Sequence, residues 1–207
     1  MHDAIRQVKE ELIANAQRAY EIGLQTGNGG NISGRVPGTD LIVIKASGRS
    51  FGETSLDNLV TVNLQGEVVE ASDTGASREL MTHLAIYRQR PDVYGIFHTH
   101  SPWAIAYASF GAAIPSVTFH ARAKLGHIPV LQVDNETTQA VADAVRDLLA
   151  AQPALQVFVQ AQHGIFSLAQ TITLACQNAE LVEETAQIAW LVALGNHLFA
   201  NPGSGDL

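Results

Sequence analysis

Apolar residues recur over the first two dozen positions as Ile5, Val8, Leu12, Ala16, Ala19 and Ile22. Spacings of three and four put them on one side of a helix over 3–24. The stretch TGNGGNISGR (26–35), rich in glycine and asparagine, ends that helix. The period then changes. LIVIKAS (41–47) is a β-branched run that reads as a strand with a turn at GRS, and LVTVNL (59–64) is another with QGE as a hairpin turn. From Arg78 to Arg90 helical spacing returns, with Leu80, Leu84 and Tyr87 on one stripe, until Pro91 stops it. YGIFHTH (94–100) is the next strand, and Ser101-Pro102 starts a helix running toward Phe110. IPVLQV (128–133) reads as a strand, and Asp134 or Asn135 caps a helix over about 136–150. QVFVQAQHG and GIFSLAQ (156–170) form a strand pair turning at His163-Gly164, residues 171–200 make a long apolar helix, and 202–207 read as a loose tail.

Strands interleaved with helices, without linker, repeat or low-complexity segment, predict one α/β or α+β domain over 1–207 with helices covering a sheet. The length suffices for a substantial core, and a charged fraction of 15% against 46% hydrophobic residues excludes a disordered chain. A net charge of −8 without any basic block argues against nucleic acid as a partner. The single cysteine, Cys176, allows no intrachain disulfide. The charged, amphipathic N-terminus is unlike a signal peptide, and no apolar stretch approaches the roughly 20 residues that span a bilayer. The expectation is a soluble cytoplasmic protein that makes no membrane contact.

Chemistry concentrates in three places. On a strand, His98 and His100 point to the same face. Paired imidazoles repel when protonated and compete for partners when buried, and a shared metal ion removes both problems. The alternative is two solvent-facing histidines at a sheet edge. His163, beside Gly164 at a strand-to-turn junction, is a third candidate, and three histidines with one open position are the pattern of a catalytic zinc-type site. Glu79 precedes a helical run that carries His83 at i+4. Its carboxylate can ligate a metal, act as general base, or pair with the helix N-terminus. Finally, TGNGGNISGR and ASGRS (46–50) can turn backbone N–H groups inward around an anion. Neither matches the Walker or dinucleotide pattern, and both serve equally as plain connections.

The order of these elements is specific: a Gly-Asn-x-Ser loop, a strand with Ser-Gly, a Ser-x-Glu helix, a His-x-His strand and a His-Gly strand pair. In this order they resemble the class II aldolase/adducin family over roughly 8–195. The resemblance implies a three-layer α/β/α domain around a largely antiparallel sheet, assembled as a cyclic homotetramer with active sites between subunits. It implies that His98, His100 and His163 hold zinc, or another divalent metal such as manganese, cobalt or iron. Glu79 would touch the metal and then act as acid/base. Gly30, Asn31, Ser47, Gly48 and Ser77 would form the cradle for a substrate phosphate.

Two positions depart from the family pattern. Arg78 stands where the fuculose-phosphate enzyme's cradle has a second serine, and offers a charged donor to an anion. Phe119 stands where the family supplies a tyrosine proton donor from a neighbouring subunit, leaving His120 as the nearest ionisable substitute. The resulting expectation is a metal-dependent aldolase that cleaves a small ketose phosphate through a metal-stabilised enediolate. A sugar-phosphate 4-epimerase and a decarboxylase or dehydratase of the same fold are the alternatives. Aspartate replaces Glu79 in the epimerase, which favours the aldolase. A non-catalytic adducin-like interaction module is the alternative outside enzymes, and retention of all three histidines and Glu79 argues against it.

Overall fold

Helix α1 (His2–Glu21) buries Ile5, Val8, Leu12, Ala16 and Ala19 of the predicted stripe but ends before its last member, Ile22, which is half exposed. The computed structural model that shows this describes residues 1–72, 75–133 and 138–200. The chain continues through β1 (Asn31–Arg35), β2 (Leu41–Lys45), β3 (Leu59–Asn63) and β4 (Val68–Glu70) to α2 (Leu80–Gln89) and β5 (Gly95–Thr99). Helices α3 (Pro102–Ala108) and α4 (Phe119–Lys124) follow, then β6 (Val130–Leu131), α5 (Thr138–Ala151), β7 (Val157–Gln160), β8 (Gly164–Ala169) and α6 (Ile172–Ala200).

Among the described residues the strands form one eight-stranded sheet in the order β4-β3-β2-β1-β5-β8-β7-β6. Every neighbouring pair is antiparallel except β6 with β7, so the sheet is mixed and mostly antiparallel. Strand alternation sorts the core. Val43, Phe97, Val157 and Ile165 join a cluster with residues of α1, α3 and α6. Ile42, Ile44, Ile96, Phe158 and Phe166 join a second cluster with residues of α2 and α5.

The main departure from the sequence reading is β1. Residues 31–35 read as the end of a polar loop, yet they form a central strand between β2 and β5. The reason is packing. Ile32 joins the α1 cluster, and Gly34 on the same face leaves room that a Cβ would take from Ile172 and Val8. Asn31 and Ser33 face the other way and are also buried. A strand with polar residues on one buried face carries no hydrophobic alternation to read.

Three smaller differences have local causes. β6 is shorter than 128–133, because Pro129 offers no N–H to a ladder and Ile128 instead bridges Ile114. Residues 119–124, which showed no apolar period, form α4, whose N-cap Thr118 accepts from the Ala121 N–H at 3.1 Å. Ser101 sits at the N-cap of α3 but donates its hydroxyl to the Leu24 carbonyl. The carboxylate of Glu183 on α6 caps α3 instead, accepting from the N–H groups of Trp103 at 2.9 Å and Ala104 at 2.8 Å. The expected cap at Asp134 or Asn135 and the tail 202–207 lie outside the described residues. No helix among the described residues is long and apolar enough to cross a membrane.

Candidate metal centre and anion cavity

Ligating atoms of Glu79, His98, His100 and His163 all lie within 4.8 Å of one another, and among the described residues this is the one such group. Glu79 comes from the N-cap of α2, His98 from β5, His100 from just beyond its end, and His163 from the β7–β8 turn. The close approach of that turn explains the His-Gly pair. A Cβ on Gly164 would lie 2.2 Å from the Thr99 carbonyl oxygen, so only glycine lets the turn reach the end of β5.

His98 is fully buried and stacks on Phe166 with ring centroids 4.0 Å apart. Its Nδ1 lies 2.8 Å from the Ile165 carbonyl oxygen, which can only accept, so Nδ1 carries the proton and Nε2 presents a bare lone pair. That Nε2 is 3.2 Å from Glu79 Oε2 and 3.2 Å from His100 Nε2. His163 Nε2 is 3.2 Å from Glu79 Oε1. The bare His98 Nε2 and the Glu79 carboxylate oxygen are two acceptors 3.2 Å apart, a repulsion that a cation between them relieves. Three imidazoles and a carboxylate fit a divalent metal.

The charge states agree with that use. Burial pulls the His98 imidazole down to about 3, against the opposing Glu79 charge. Burial and the neighbouring His163 also lower His100. For Glu79, burial pushes the carboxyl up, but His98, His163 and the Asn31 amide outweigh it and hold the group well below the usual carboxylate range. Neutral imidazoles and an ionised carboxylate are the forms that bind metal. The helix-capping alternative for Glu79 fails on geometry. Its side chain makes no cap bond to α2 and instead accepts from Asn31 Nδ2 at 2.8 Å.

Beside the cluster lies a cavity of about 90 Å³ lined by Gly30, Asn31, Ser47, Gly48, Ser77 and Arg78, together with Glu79 and His100. Every residue expected in an anion cradle therefore meets at one place. Backbone pairing brings the two serine segments together: Ala46 bridges Ala76, Ser47 N–H donates to Gly75, and Ser77 N–H donates to the Lys45 carbonyl. Gly30 has φ +64°, and a Cβ there would lie 2.7 Å from the His98 carbonyl oxygen, so the loop passes directly over β5. A second cavity of about 270 Å³ shares Arg78 and Glu79 and adds Thr82, Gln160, Gln162 and His163. A larger cleft, about 390 Å³ beside Gln17, Tyr20 and Glu53, gathers no comparable ligating group.

Lys45 also lines the anion cavity, and the sequence reading missed it. It is almost fully buried, and burial lowers its ammonium to about 8 while the Glu79 charge opposes. Its Nζ donates to the carbonyls of Ala46 and Arg49. A lysine inside the β-branched run LIVIK was the available signal, since a central strand rarely buries an ammonium without use for it. Phe119 and His120 stand apart, exposed on α4 and outside both cavities.

Comparison with known proteins agrees with this geometry. Residues 10–190 match the family model described as Class II Aldolase and Adducin N-terminal domain. The chain is 33% identical over 184 residues to 5-deoxy-D-ribulose 1-phosphate aldolase of Bacillus thuringiensis serovar kurstaki, covering 89% of this chain and 84% of that one. It is 32% identical over 207 residues to L-ribulose-5-phosphate 4-epimerase of Salmonella paratyphi C, covering 96% and 90%. Among solved structures, an L-fuculose 1-phosphate aldolase superposes with a TM-score of 0.79 at 28% identity, covering 90% of this chain and 86% of that one.

Proposed function

The chain belongs to the class II aldolase and adducin family, and we propose that it is a metal-dependent aldehyde-lyase cleaving a small phosphorylated ketose. The observation that carries this reading is the junction of the Glu79–His98–His100–His163 group with the anion cavity. His98, His100 and His163 hold a divalent ion, with zinc the best match to a three-histidine set and manganese, cobalt or iron the alternatives. Once bound, that ion supplies Lewis-acid stabilisation of the charge that develops at the ketose oxygens as the C–C bond breaks. Glu79, ionised and in contact with His98 and His163, carries the proton at the reacting carbon. Gly30, Asn31, Ser47, Gly48, Ser77 and Arg78 hold the phosphate, which fixes the distance from the anchored end to the reacting carbon.

The two named relatives support neighbouring chemistries. One is an aldolase acting on a ketose 1-phosphate, and the other an epimerase acting on a ketulose 5-phosphate. A 4-epimerase breaks and re-forms the same kind of bond and is the second reading. The test is zinc-loaded protein incubated with a panel of ketose 1-phosphates and ketulose 5-phosphates, with products resolved by chromatography. Release of a three-carbon ketone phosphate plus an aldehyde is the expected outcome. Interconversion of pentulose phosphates without release of fragments would favour the epimerase. Absence of both would overturn the aldolase reading and leave the decarboxylase, dehydratase and adducin-like alternatives.

Arg78 offers a charged donor to both cavities. Arg78→Ala is expected to raise KM for the phosphorylated substrate about 10-fold, the scale of one charge-assisted hydrogen bond, with a smaller change in kcat. Inhibition by inorganic phosphate should weaken in parallel, and unchanged phosphate inhibition would remove Arg78 from the cradle.

A homotetramer with sites between subunits is part of the same proposal. The C-terminal half of α6 exposes Leu191, Val192, Leu194, Leu198 and Phe199, and Phe110 stacks on Trp190 at 5.4 Å nearby. An apolar surface of that extent suits burial against other copies. In that assembly His120, exposed on α4, replaces the missing tyrosine as proton donor to a neighbouring site. The two core clusters on alternate strand residues support three layers within one domain, and the single buried cysteine suits the cytoplasm.

A further inference from the structure

Two stripes of side chains meet between α2 and β1. Glu79, His83 and Tyr87 are spaced four apart and occupy one side of the helix, while Asn31 and Ser33 are two apart on one face of the strand. The stripes interlock. Asn31 stands between Glu79 and His83, with Nδ2 donating to Glu79 Oε2 at 2.8 Å and Oδ1 against His83 Nε2. Ser33 stands between His83 and Tyr87, with Oγ 2.6 Å from His83 Nδ1 and 2.9 Å from the Tyr87 hydroxyl. Asn31, Ser33, His83 and Tyr87 are all buried, so water does not compete for these bonds.

The direction of every bond in this chain follows from its ends. Glu79 is a carboxylate and accepts only, so the Asn31 amide must turn its N–H toward it. Asn31 Oδ1 then faces His83 and requires a donor, which places the His83 proton on Nε2. Nδ1 of the neutral ring is left as an acceptor and takes the Ser33 hydroxyl proton, so Tyr87 must donate to Ser33. With the other tautomer, His83 Nε2 and Asn31 Oδ1 would be two acceptors in contact. Relieving that by flipping the amide would press Oδ1 against the Glu79 carboxylate. Both ring nitrogens of His83 are thus engaged, so neither is free to ligate a metal.

We propose that His83 is a positioning residue, which fixes the orientation of the Asn31 amide and so aims the Asn31 N–H at the Glu79 carboxylate. His83 itself belongs to neither the metal group nor the cavity lining, and the role explains why a central strand and a helix face each carry buried polar residues here. Without the His83 donor, the buried Asn31 Oδ1 loses its partner and the amide is held at one end only, by Glu79.

Two measurements test this. Long-range proton–nitrogen NMR of the zinc-loaded, unaltered protein at neutral pH should find His83 as the Nε2–H tautomer, and the Nδ1–H tautomer would overturn the proposal. The second measurement compares His83→Leu, which removes the donor, with His83→Gln, whose side-chain amide restores an N–H near the Nε2 position. His83→Leu should lower kcat about 10-fold or more, the usual scale for a residue that orients a metal-site group, with a smaller rise in KM because Asn31 also lines the cavity. His83→Gln should recover most of that loss while retaining the same zinc content. Equal kcat in the two folded variants would overturn the proposal, because both lose the ring and its packing. The kinetic arm rests on the aldolase reading and the NMR arm does not, so the two can fail separately. If neither variant folds, the NMR arm decides.

Discussion

Replacing His98 and His100 together by alanine is expected to leave a chain that retains no stoichiometric metal and turns over no substrate. Each imidazole contributes one of the nitrogens that converge on the Glu79 carboxylate, and two cannot be lost from a four-residue group without opening it to water. Part of the effect will be structural. His98 is fully buried against Phe166, so its removal leaves a cavity costing about 2–4 kcal/mol, visible as a lower melting temperature. His100→Ala alone separates the two effects, because that ring is only partly buried and its ring contacts run to His98 and His163 within the same group. The measurement is metal content by mass spectrometry after gel filtration, beside circular dichroism. Stoichiometric metal retained by the folded double variant would mean that the centre is elsewhere.

Glu79→Gln is expected to lower kcat on the order of 10²-fold or more while the three histidines still hold metal. The substitution keeps shape but removes both the negative charge and the proton-accepting oxygen. It also disturbs contacts that a neutral amide cannot satisfy together. One carboxylate oxygen accepts from Asn31 and faces His98, while the other faces His163. Only one of the two positions can remain an oxygen. Steady-state kinetics with metal content measured on the same samples decides the matter. Near wild-type turnover would demote Glu79 to a ligand without a proton-transfer role.

The sequence showed most of this arrangement where local pattern and chemistry coincide. His98 ends a short apolar run that reads as strand, His100 follows just beyond it, and His163-Gly164 marks a turn that only glycine can make so close to Thr99. The cradle residues were legible as motifs, although nothing local showed that residues 47 and 77 would be neighbours. β1 was illegible because its buried face is polar: Asn31 and Ser33 are satisfied by α2 residues about fifty positions away. Lys45 was hidden for the opposite reason, a charged residue inside a run so apolar that it read as strand alone. His83 was visible at i+4 from Glu79, but its role depends on a proton position that only the hydrogen-bond chain reveals.

The sheet order divides the site by folding history. β1 to β4 form a meander of successive antiparallel neighbours within residues 31–70, and that local unit already carries Asn31, Lys45 and the strand leading to Ser47 and Gly48. The ligand group instead requires β1 to pair with β5, Asn31 opposite His98, and β5 to pair with β8, His98 opposite Phe166. Each pairing closes a loop of more than sixty residues, which is slow and entropically costly compared with a hairpin. During synthesis or refolding, half of the proposed cradle, Asn31, Ser47 and Gly48, can therefore be placed before the four ligating residues come together. On the proposed function, a partly folded chain gains no metal-dependent stabilisation until the last long-range strand is in place, so metal capture would mark completion of the fold.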